Sequence, residues 1–544
     1  MPARQADTAI DIRRFPWIRK LAADYIYDFG GVAPFFAGNP AEKSAWGEAI
    51  ARAQAHPRDR KRLVDVLATQ QEGRNAPAAS REAASQLSDG STVALVTGQQ
   101  AGLFGGPLFT LLKAITALKL AESISREHRT NAVAVFWVEG EDHDWEEVRS
   151  CTVLDESLQP QTISLPQHAV PESTSIARVV LDGQITTAID ELERFLPATE
   201  FRESLIADLR AAYAPGHGMA DAFARWLEGA LGSRGLIVYD ASDVAAKPIA
   251  SPVFSRELST PGETARRASA AGEGLASRGY HSQVQAADGG VALFRMGEAR
   301  RPLKRQNGAF VAGEETFAQA ALLQDAAERP QAFSPNVLLR PIVQDTVFPT
   351  IAYVAGPNEL AYLGQLKGVY EHFGLPMPLM YPRCSATLLD SAASRFLQKY
   401  HVPLEALQAQ DEAVLNELLQ SQIPAAIEES FGAARQSVED HMARVASALA
   451  TLDPTLEGAA TSTLGKMQHD LQTLHGKMIQ AAKRRDETMR RQFLRTRALA
   501  FPGGHPQERA VGCVSFLNQY GPALIDRLFD ELPLDLGSHW IVSI

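Results

Sequence analysis

The chain is short of cysteine, of net positive charge and of long apolar runs, and each shortage excludes a class of protein. Only Cys151, Cys384 and Cys513 occur in 544 residues, outside any Cys-x-x-Cys pair. A disulfide framework or a cysteine zinc site is therefore not expected, and a reducing, cytoplasmic setting is. Asp plus Glu (64) exceed Lys plus Arg (53), a net charge of -11; a general nucleic-acid binder would carry a basic excess instead. No stretch approaches ~20 uninterrupted apolar residues, so no membrane span is expected. The opening Met-Pro-Ala-Arg-Gln-Ala-Asp lacks the apolar core of a signal peptide. What is present, 45% hydrophobic and 22% charged residues, is an ordinary globular composition. At roughly 100–200 residues per domain the length suggests about three or four structural units.

Patterning predicts an α/β protein. Residues 1–90 read as mostly helical, with a turn near Gly30-Gly31. A β-rich run from Ser91 to Thr97 ends at Gly98, a helical pattern starts at Pro107, and the nearly all-apolar run Ala132–Val138 suits a parallel strand covered on both faces. This strand–loop–helix–strand unit is the kernel of a doubly wound core, placed with the helical region in residues 1–150. Residues 151–232 read partly as an insertion, with short runs at Thr162–Leu165 and Ala177–Leu181 and a helical stretch around 198–232. Residues 233–387 supply the second half of the core, with strands at Gly235–Asp240, Leu338–Ile342 and Thr350–Val354 and one ending at Met380–Pro382. From 388 to 500 the chain turns to Leu, Ala, Gln, Glu and Arg, divided near Pro454. Two halves of ~45 residues would each reach about 65 Å, too long for a compact domain, so an antiparallel coiled-coil arm is predicted. Residues 501–544 return to the core.

The most specific segment runs from Thr97 through Gly98-Gln99-Gln100-Ala101-Gly102-Leu103-Phe104-Gly105-Gly106-Pro107 to Lys113. It joins a buried strand to a helix, where doubly wound folds bind ligands. Gly102, Gly105 and Gly106 would let backbone approach a ligand, and the helix start would offer free N–H groups to an anion. Gln99 and Gln100 add uncharged donors and acceptors, while Thr110 and Lys113 share one helix face. The segment matches neither Gly-x-x-x-x-Gly-Lys-Ser/Thr nor Gly-x-Gly-x-x-Gly. A turn that only packs helix on sheet would not call for two glutamines and a lysine. A second segment, Glu139-Gly140-Glu141-Asp142-His143-Asp144-Trp145-Glu146-Glu147, follows the next strand. His143 between Asp142 and Asp144 could orient an amine or accept its proton; the plainer alternative is an acidic helix start. No second His or Cys cluster accompanies it, so no metal is expected.

These two segments, together with Tyr353-Val354-Ala355-Gly356-Pro357-Asn358-Glu359-Leu360-Ala361-Tyr362, resemble the cysteine-adding enzyme family of bacillithiol biosynthesis, BshC. Ser334–Pro341, Pro382–Leu388 and Phe501–Arg509 resemble further stretches of that family, so the resemblance spans nearly the whole chain. It implies a Rossmann-like core with connective-peptide insertions, a coiled-coil arm that helps form a homodimer, and transfer of cysteine to glucosaminyl-malate in the last step of bacillithiol synthesis. The core is similar to class I cysteinyl-tRNA synthetases, but Gly98-Gln99-Gln100-Ala101-Gly102 stands where those carry His-x-Gly-His, and no thiol-binding zinc cluster is visible.

Such a reaction needs an activated cysteine carboxylate, an adenylate or acyl phosphate, which implies ATP or ADP. Lys113 and the glycine-rich loop would stabilise developing charge, and His143, oriented by Asp142 or Asp144, would deprotonate the sugar amine. Arg383, Ser385 and Thr387 could grip carboxylates or phosphate, with a structural turn as the equal alternative. Asn336, Arg340, Tyr353, Asn358, Glu359 and Tyr362 are candidates for the pocket wall. Lys483 to Arg497 hold seven basic and two acidic residues, a local net of +5. Most of that run reads as a solvated helix face, while Arg490 and Arg491 with Phe501, Gln507, Glu508 and Arg509 form a candidate second nucleotide site. Cys384, with no histidine nearby in sequence, reads as buried and inert. Two rival readings remain: a dimeric nucleotide-binding scaffold with a vestigial site, and RNA binding through the basic run, which the net acidity disfavours.

Overall fold

The computed structural model describes residues 8–167, 173–284, 290–421, 425–485 and 487–544, with the side chains of 482–485 left aside. They form two compact units, one of residues 1–388 and 507–544, the other of residues 389–506.

The first unit is built on a parallel sheet. In chain order its elements are β1 (Val93–Gln100), α1 (Leu108–His128), β2 (Ala132–Glu139), β3 (Ile237–Asp240), β4 (Thr350–Ala355), α2 (Glu359–Leu363) and β5 (Leu379–Pro382). The strand order is β5-β4-β1-β2-β3, parallel throughout. The order reverses between β1 and β4, and ligands of doubly wound folds sit at the carboxyl ends of strands beside such a reversal. β1 and β2 are almost wholly buried because both faces are covered, as their unbroken apolar runs require. α1 lies against β1 and β2. On one face Val96, Val135, Trp137, Ile237 and Tyr239 share a core with Phe254, Leu258, Ile342 and Tyr370. β1 runs past the expected end at Gly98 and carries Gln99 and Gln100 as its last residues, with Gly98 opposite Trp137 and Gln100 opposite Glu139.

One expected strand is a helix. The apolar run Leu338–Ile342 predicts a strand, yet Arg340–Val347 is helical, with Pro341 in its first turn. A short buried apolar run fits strand or helix equally until a start signal decides. Here Asn336 supplies it, its Oδ1 accepting from the N–H groups of Leu338 (3.0 Å) and Leu339 (3.2 Å).

Insertions leave the sheet at two places. Between β2 and β3 come the hairpin Ser150–Leu154/Pro160–Ser164 and helices Gln184–Phe195, Arg202–Ala212 and Met219–Leu231. The run Ala177–Leu181 is a 3-10 turn, Ile176–Arg178, with one bridge from Val180 to Gly218. Between β3 and β4 stand helices Lys247–Ser259 and Glu263–Ser277 and a five-stranded antiparallel sheet that includes Gly290–Met296 and Arg300–Gln306. Gly30 and Gly31, expected as a turn, lie inside the single helical turn Phe29–Val32. A third sheet joins Thr8–Asp11, Ser538–Ser543 and Ser385–Leu389.

The second unit contains α3 (Ala425–Leu452) and α4 (Leu456–Arg485), about 42 and 45 Å long at 1.5 Å per residue. His475 Nε2 lies 3.0 Å from Glu428 Oε1 and its ring 5.1 Å from that of Phe431, so the chain doubles back at Pro454 as an antiparallel helical hairpin. Among the described residues no helix is long and apolar enough to cross a membrane.

Candidate active site

A cleft of about 320 Å³ opens at the carboxyl ends of β1, β2 and β4 in the first unit. The floor comes from β1: Gly98, Gln99 and Gln100. Gly98 is required there, since a Cβ would stand 2.8 Å from the Trp137 carbonyl oxygen of the neighbouring strand. Lys113, from the second turn of α1, reaches back to this floor. Its Nζ donates to Gly98 O (2.9 Å), Gln99 Oε1 (3.3 Å) and Glu359 Oε2 (2.6 Å). Burial pushes the Lys113 ammonium below its ordinary value, and the Glu359 carboxylate opposes the shift. Glu359 opens α2 and also accepts from Tyr353 Oη (2.9 Å) and Gly356 N–H (2.6 Å). Burial raises its carboxyl, but Lys113 and these donors outweigh it and hold the group below the usual carboxylate range.

The opposite wall carries Arg340 and Tyr362, which are bonded to each other (3.2 Å). Burial pushes the Tyr362 hydroxyl up to about 12, so it stays protonated at neutral pH. Beside them Glu139, the last residue of β2, is fixed by Trp137 Nε1–H (3.1 Å) and Glu141 N–H (3.3 Å). Burial raises the Glu139 carboxyl, and Arg340 only partly counters it. Glu147 lines the rim and is likewise raised by burial. Phe109 lies beneath three cations: its ring centroid is 5.9 Å from Lys113 Nζ, 5.5 Å from the Arg383 guanidinium and 5.6 Å from that of Arg509. Lys113 is paired to Glu359 and Arg383 to Glu508, whereas Arg509 makes no hydrogen bond or ion pair with any described residue. An anion entering the cleft therefore finds one uncommitted guanidinium.

The structure brings together Lys113, Gln99, Gln100, Arg340, Tyr353, Asn358, Glu359, Tyr362, Arg383 and Arg509 on this cleft. Other expected residues stand elsewhere. Gly102, Gly105, Gly106 and Thr110 are not among the lining residues. Gly105 (φ +85°) packs under Trp226, whose ring would meet a Cβ at 2.2 Å. Tyr213 Oη accepts from Gly105 N–H (3.0 Å) and donates to Gly102 O (3.1 Å). The start of α1 is not open to an anion as expected: Leu108 N–H donates to Val511 O (2.9 Å), and Gly106 O accepts from Cys513 N–H (3.0 Å). This part of the loop thus holds the C-terminal segment.

Asp142, His143 and Asp144 are also off the lining. Asp144 caps the short helix Trp145–Val148. His143 Nδ1 faces Arg300 (3.0 Å), and Asp142 accepts from Gln100 Nε2 (2.6 Å). Asn336 caps its turn. Arg383 forms a bidentate pair with Glu508 (2.9 and 2.5 Å), while Ser385 and Thr387 hydrogen-bond His539 Nδ1 and Nε2 (both 2.8 Å). The residues of the expected second nucleotide site divide between the units. Arg490, Arg491 and Phe501 lie in the helical unit, where Arg490 is 3.9 Å from Glu412. In the first unit Gln507 is buried with its amide on the Leu388 backbone (2.8 and 2.9 Å), Glu508 holds Arg383, and Arg509 lines the cleft.

The residues missed from sequence are Phe109, Trp137, Glu139 and Glu147. Glu139 carried a usable signal: it ends a buried strand, two residues after Trp137 and so on the same face. All three cysteines are buried and free, and burial pushes the Cys151 thiol up to about 12. Among the described residues no three His, Cys, Asp or Glu side chains are grouped to hold a metal ion.

Sheet, switch point and mixed-charge cleft define a Rossmann-like α/β protein with a polar cleft at the strand ends. Residues 8–384 match the model of the BshC N-terminal Rossmann-like domain of bacillithiol biosynthesis, and residues 386–544 that of the BshC C-terminal coiled-coil domain. The chain belongs to the BshC family. It is similar to proteins named "Putative cysteine ligase BshC" from Salinibacter ruber (33% identity, 96% of each chain), Koribacter versatilis (33%, 96% of this chain and 97% of the relative) and Symbiobacterium thermophilum (32%, 95% and 96%).

Proposed function

We propose that this protein is a ligase that joins L-cysteine to the amine of glucosaminyl-malate, through a cysteine carboxylate activated at the expense of ATP. The observation that carries the reading is the cleft itself. Four cations (Lys113, Arg340, Arg383, Arg509) stand against three carboxylates (Glu139, Glu147, Glu359), so it can admit an anion and still offer a base. Arg509, with Asn358 beside it, is the group free to take a malate carboxylate or a phosphate. Lys113, at the floor of the cleft, would stabilise the negative charge that develops as the acyl group is attacked. Gln99, Gln100, Tyr353 and Tyr362 supply uncharged polar contacts for hydroxyls and amide. A nucleotide would be held by Arg509 and its neighbours rather than by the glycine-rich loop, and would supply the activation of the carboxylate. The exposed Ile427, Val445, Leu452, Met467 and Leu474 of the helical hairpin support a homodimer formed through that arm.

The test is to incubate the purified protein with cysteine, glucosaminyl-malate and ATP and look for bacillithiol by mass spectrometry. A second reading, a nucleotide-binding scaffold of the same synthesis, is favoured by one observation: Lys113 and Arg383 are already neutralised by Glu359 and Glu508. Absence of product under any nucleotide condition, with normal thiol in a deletion strain, would favour the scaffold instead.

A further inference from the structure

We propose that Glu139 is the general base that takes the proton from the attacking amine in this cleft; the inference rests on the ligase reading above and deepens it. Three features of geometry converge on the side chain. It ends the strand next to β1, across from Gln100, so it faces the switch-point cleft that the substrates must enter. Trp137 Nε1–H and the Glu141 N–H hold one oxygen each, which fixes the carboxyl plane and leaves the second lone pair of each oxygen for a proton. Its neighbours are fixed too: Arg340 is tied to Tyr362 and Gln344, and Arg300 to Ser334 and Pro335 O. By contrast His143, the base expected from sequence, is off the lining and has its Nδ1 turned to Arg300.

The charges facing Glu139 come from four elements: Arg340 from its helix, Arg300 from the antiparallel sheet, Glu141 from the following loop and the Tyr362 hydroxyl from α2. Burial outweighs the two arginines and raises the carboxyl, which brings it closer to an amine in proton affinity than an exposed carboxylate would be. The step balances. The Glu139 carboxylate accepts a proton from the substrate ammonium and becomes a carboxylic acid. The free amine nitrogen then forms a C–N bond to the carbonyl carbon of the activated cysteine, an acyl phosphate or acyl adenylate, and the bond from that carbon to the phosphate oxygen breaks; the electron pair leaves on that oxygen, and the departing phosphate takes the second proton from the new amide nitrogen. A protonated Glu139 could not do this, so the rate falls on the acid side of its own titration.

The pH profile of kcat/KM tests this, together with calorimetric binding of glucosaminyl-malate. Glu139→Gln should lower turnover about 100-fold or more, abolish the acid limb and leave glucosaminyl-malate affinity within about threefold. Trp137→Phe removes a donor that stabilises the carboxylate, so the acid limb should move to higher pH, an effect that a loss of packing alone would not produce. Wild-type protein that forms no product sinks the ligase reading. Wild-type protein that forms product while Glu139→Gln keeps its acid limb, or while the limb in Trp137→Phe stays put, overturns the assignment of Glu139 and leaves the ligase reading intact.

Discussion

Lys113 and Glu359 stand on different elements, α1 and α2, and meet under the floor of the cleft with little water around the lysine. A buried ion pair of this kind adds little over a well-packed apolar pair, but removing one partner leaves a charge that burial makes costly, about 3–5 kcal/mol. Lys113→Met should therefore destabilise the first unit by about 3 kcal/mol in urea unfolding, and Lys113→Met with Glu359→Gln should recover most of that loss. Both proteins should lack ligase turnover, because the cation proposed to stabilise the developing charge is gone from each. Stability that is restored without activity is the outcome that separates a catalytic lysine from a structural one; equal stability of the single and double variants would contradict the pairing. Arg509 gives the complementary case. With no partner to strand, Arg509→Ala should change stability by less than about 0.5 kcal/mol and raise the glucosaminyl-malate KM at least tenfold in steady-state kinetics.

At the scale of elements, the glycine-rich segment is legible as the start of the cleft, while the packing of its glycines is not. Its place between strand and helix could be read from the apolar runs on either side, because parallel strands buried on both faces have no polar alternation. What the pattern could not reveal is that Trp226, Tyr213 and Val511, more than a hundred residues away, occupy the space the glycines leave. Gly105→Ala meets both a positive φ and the Trp226 ring, and should cost upwards of about 2 kcal/mol in urea unfolding. Tyr213→Phe, which loses only hydrogen bonds to the loop, should cost about 1–2 kcal/mol. The same distance effect hid the antiparallel sheet and the terminal strand pair, in which Thr8 lies opposite Ile541. Glu139 is legible from its place at the end of a buried strand, on the same face as Trp137.

That terminal sheet carries a pH dependence. His539, on its middle strand, is bonded through both ring nitrogens to Ser385 and Thr387, and burial pushes its pKa down to about 4. The unfolded chain takes up this proton near the ordinary value of about 6.5, so stability is fully present above that value and is lost as pH falls through 4. Between about pH 7 and about pH 5 the loss from this residue alone should be about 2 kcal/mol. His539→Gln should show a correspondingly flatter dependence of its urea midpoint; parallel curves for the two proteins would remove His539 from the account.

For the whole molecule, the helical unit is an excursion from a fold that closes without it. Gln507, where the chain re-enters the first unit, holds both the N–H and the carbonyl of Leu388, where it left, at 2.8 and 2.9 Å. The two ends of the excursion are thus pinned side by side, and a loop of a few residues can span them, since loop-closure entropy grows only slowly with length and is small for a short link. The neighbouring pair Arg383–Glu508 lies within the first unit as well, so the cleft keeps its wall when the arm is absent. Replacing residues 390–506 with a four-residue Gly-Ser link should give a protein that still unfolds cooperatively. Its mass by analytical ultracentrifugation should be that of one chain if the arm carries the dimer, and the full-length protein should run as two. The exposed apolar side chains of α3 and α4 are the reason for this expectation: removing them removes the only surface to which self-association is assigned. A shortened protein that folds and remains dimeric would move the interface to the first unit. One that fails to fold would mean that the core depends on the arm despite the Gln507–Leu388 closure.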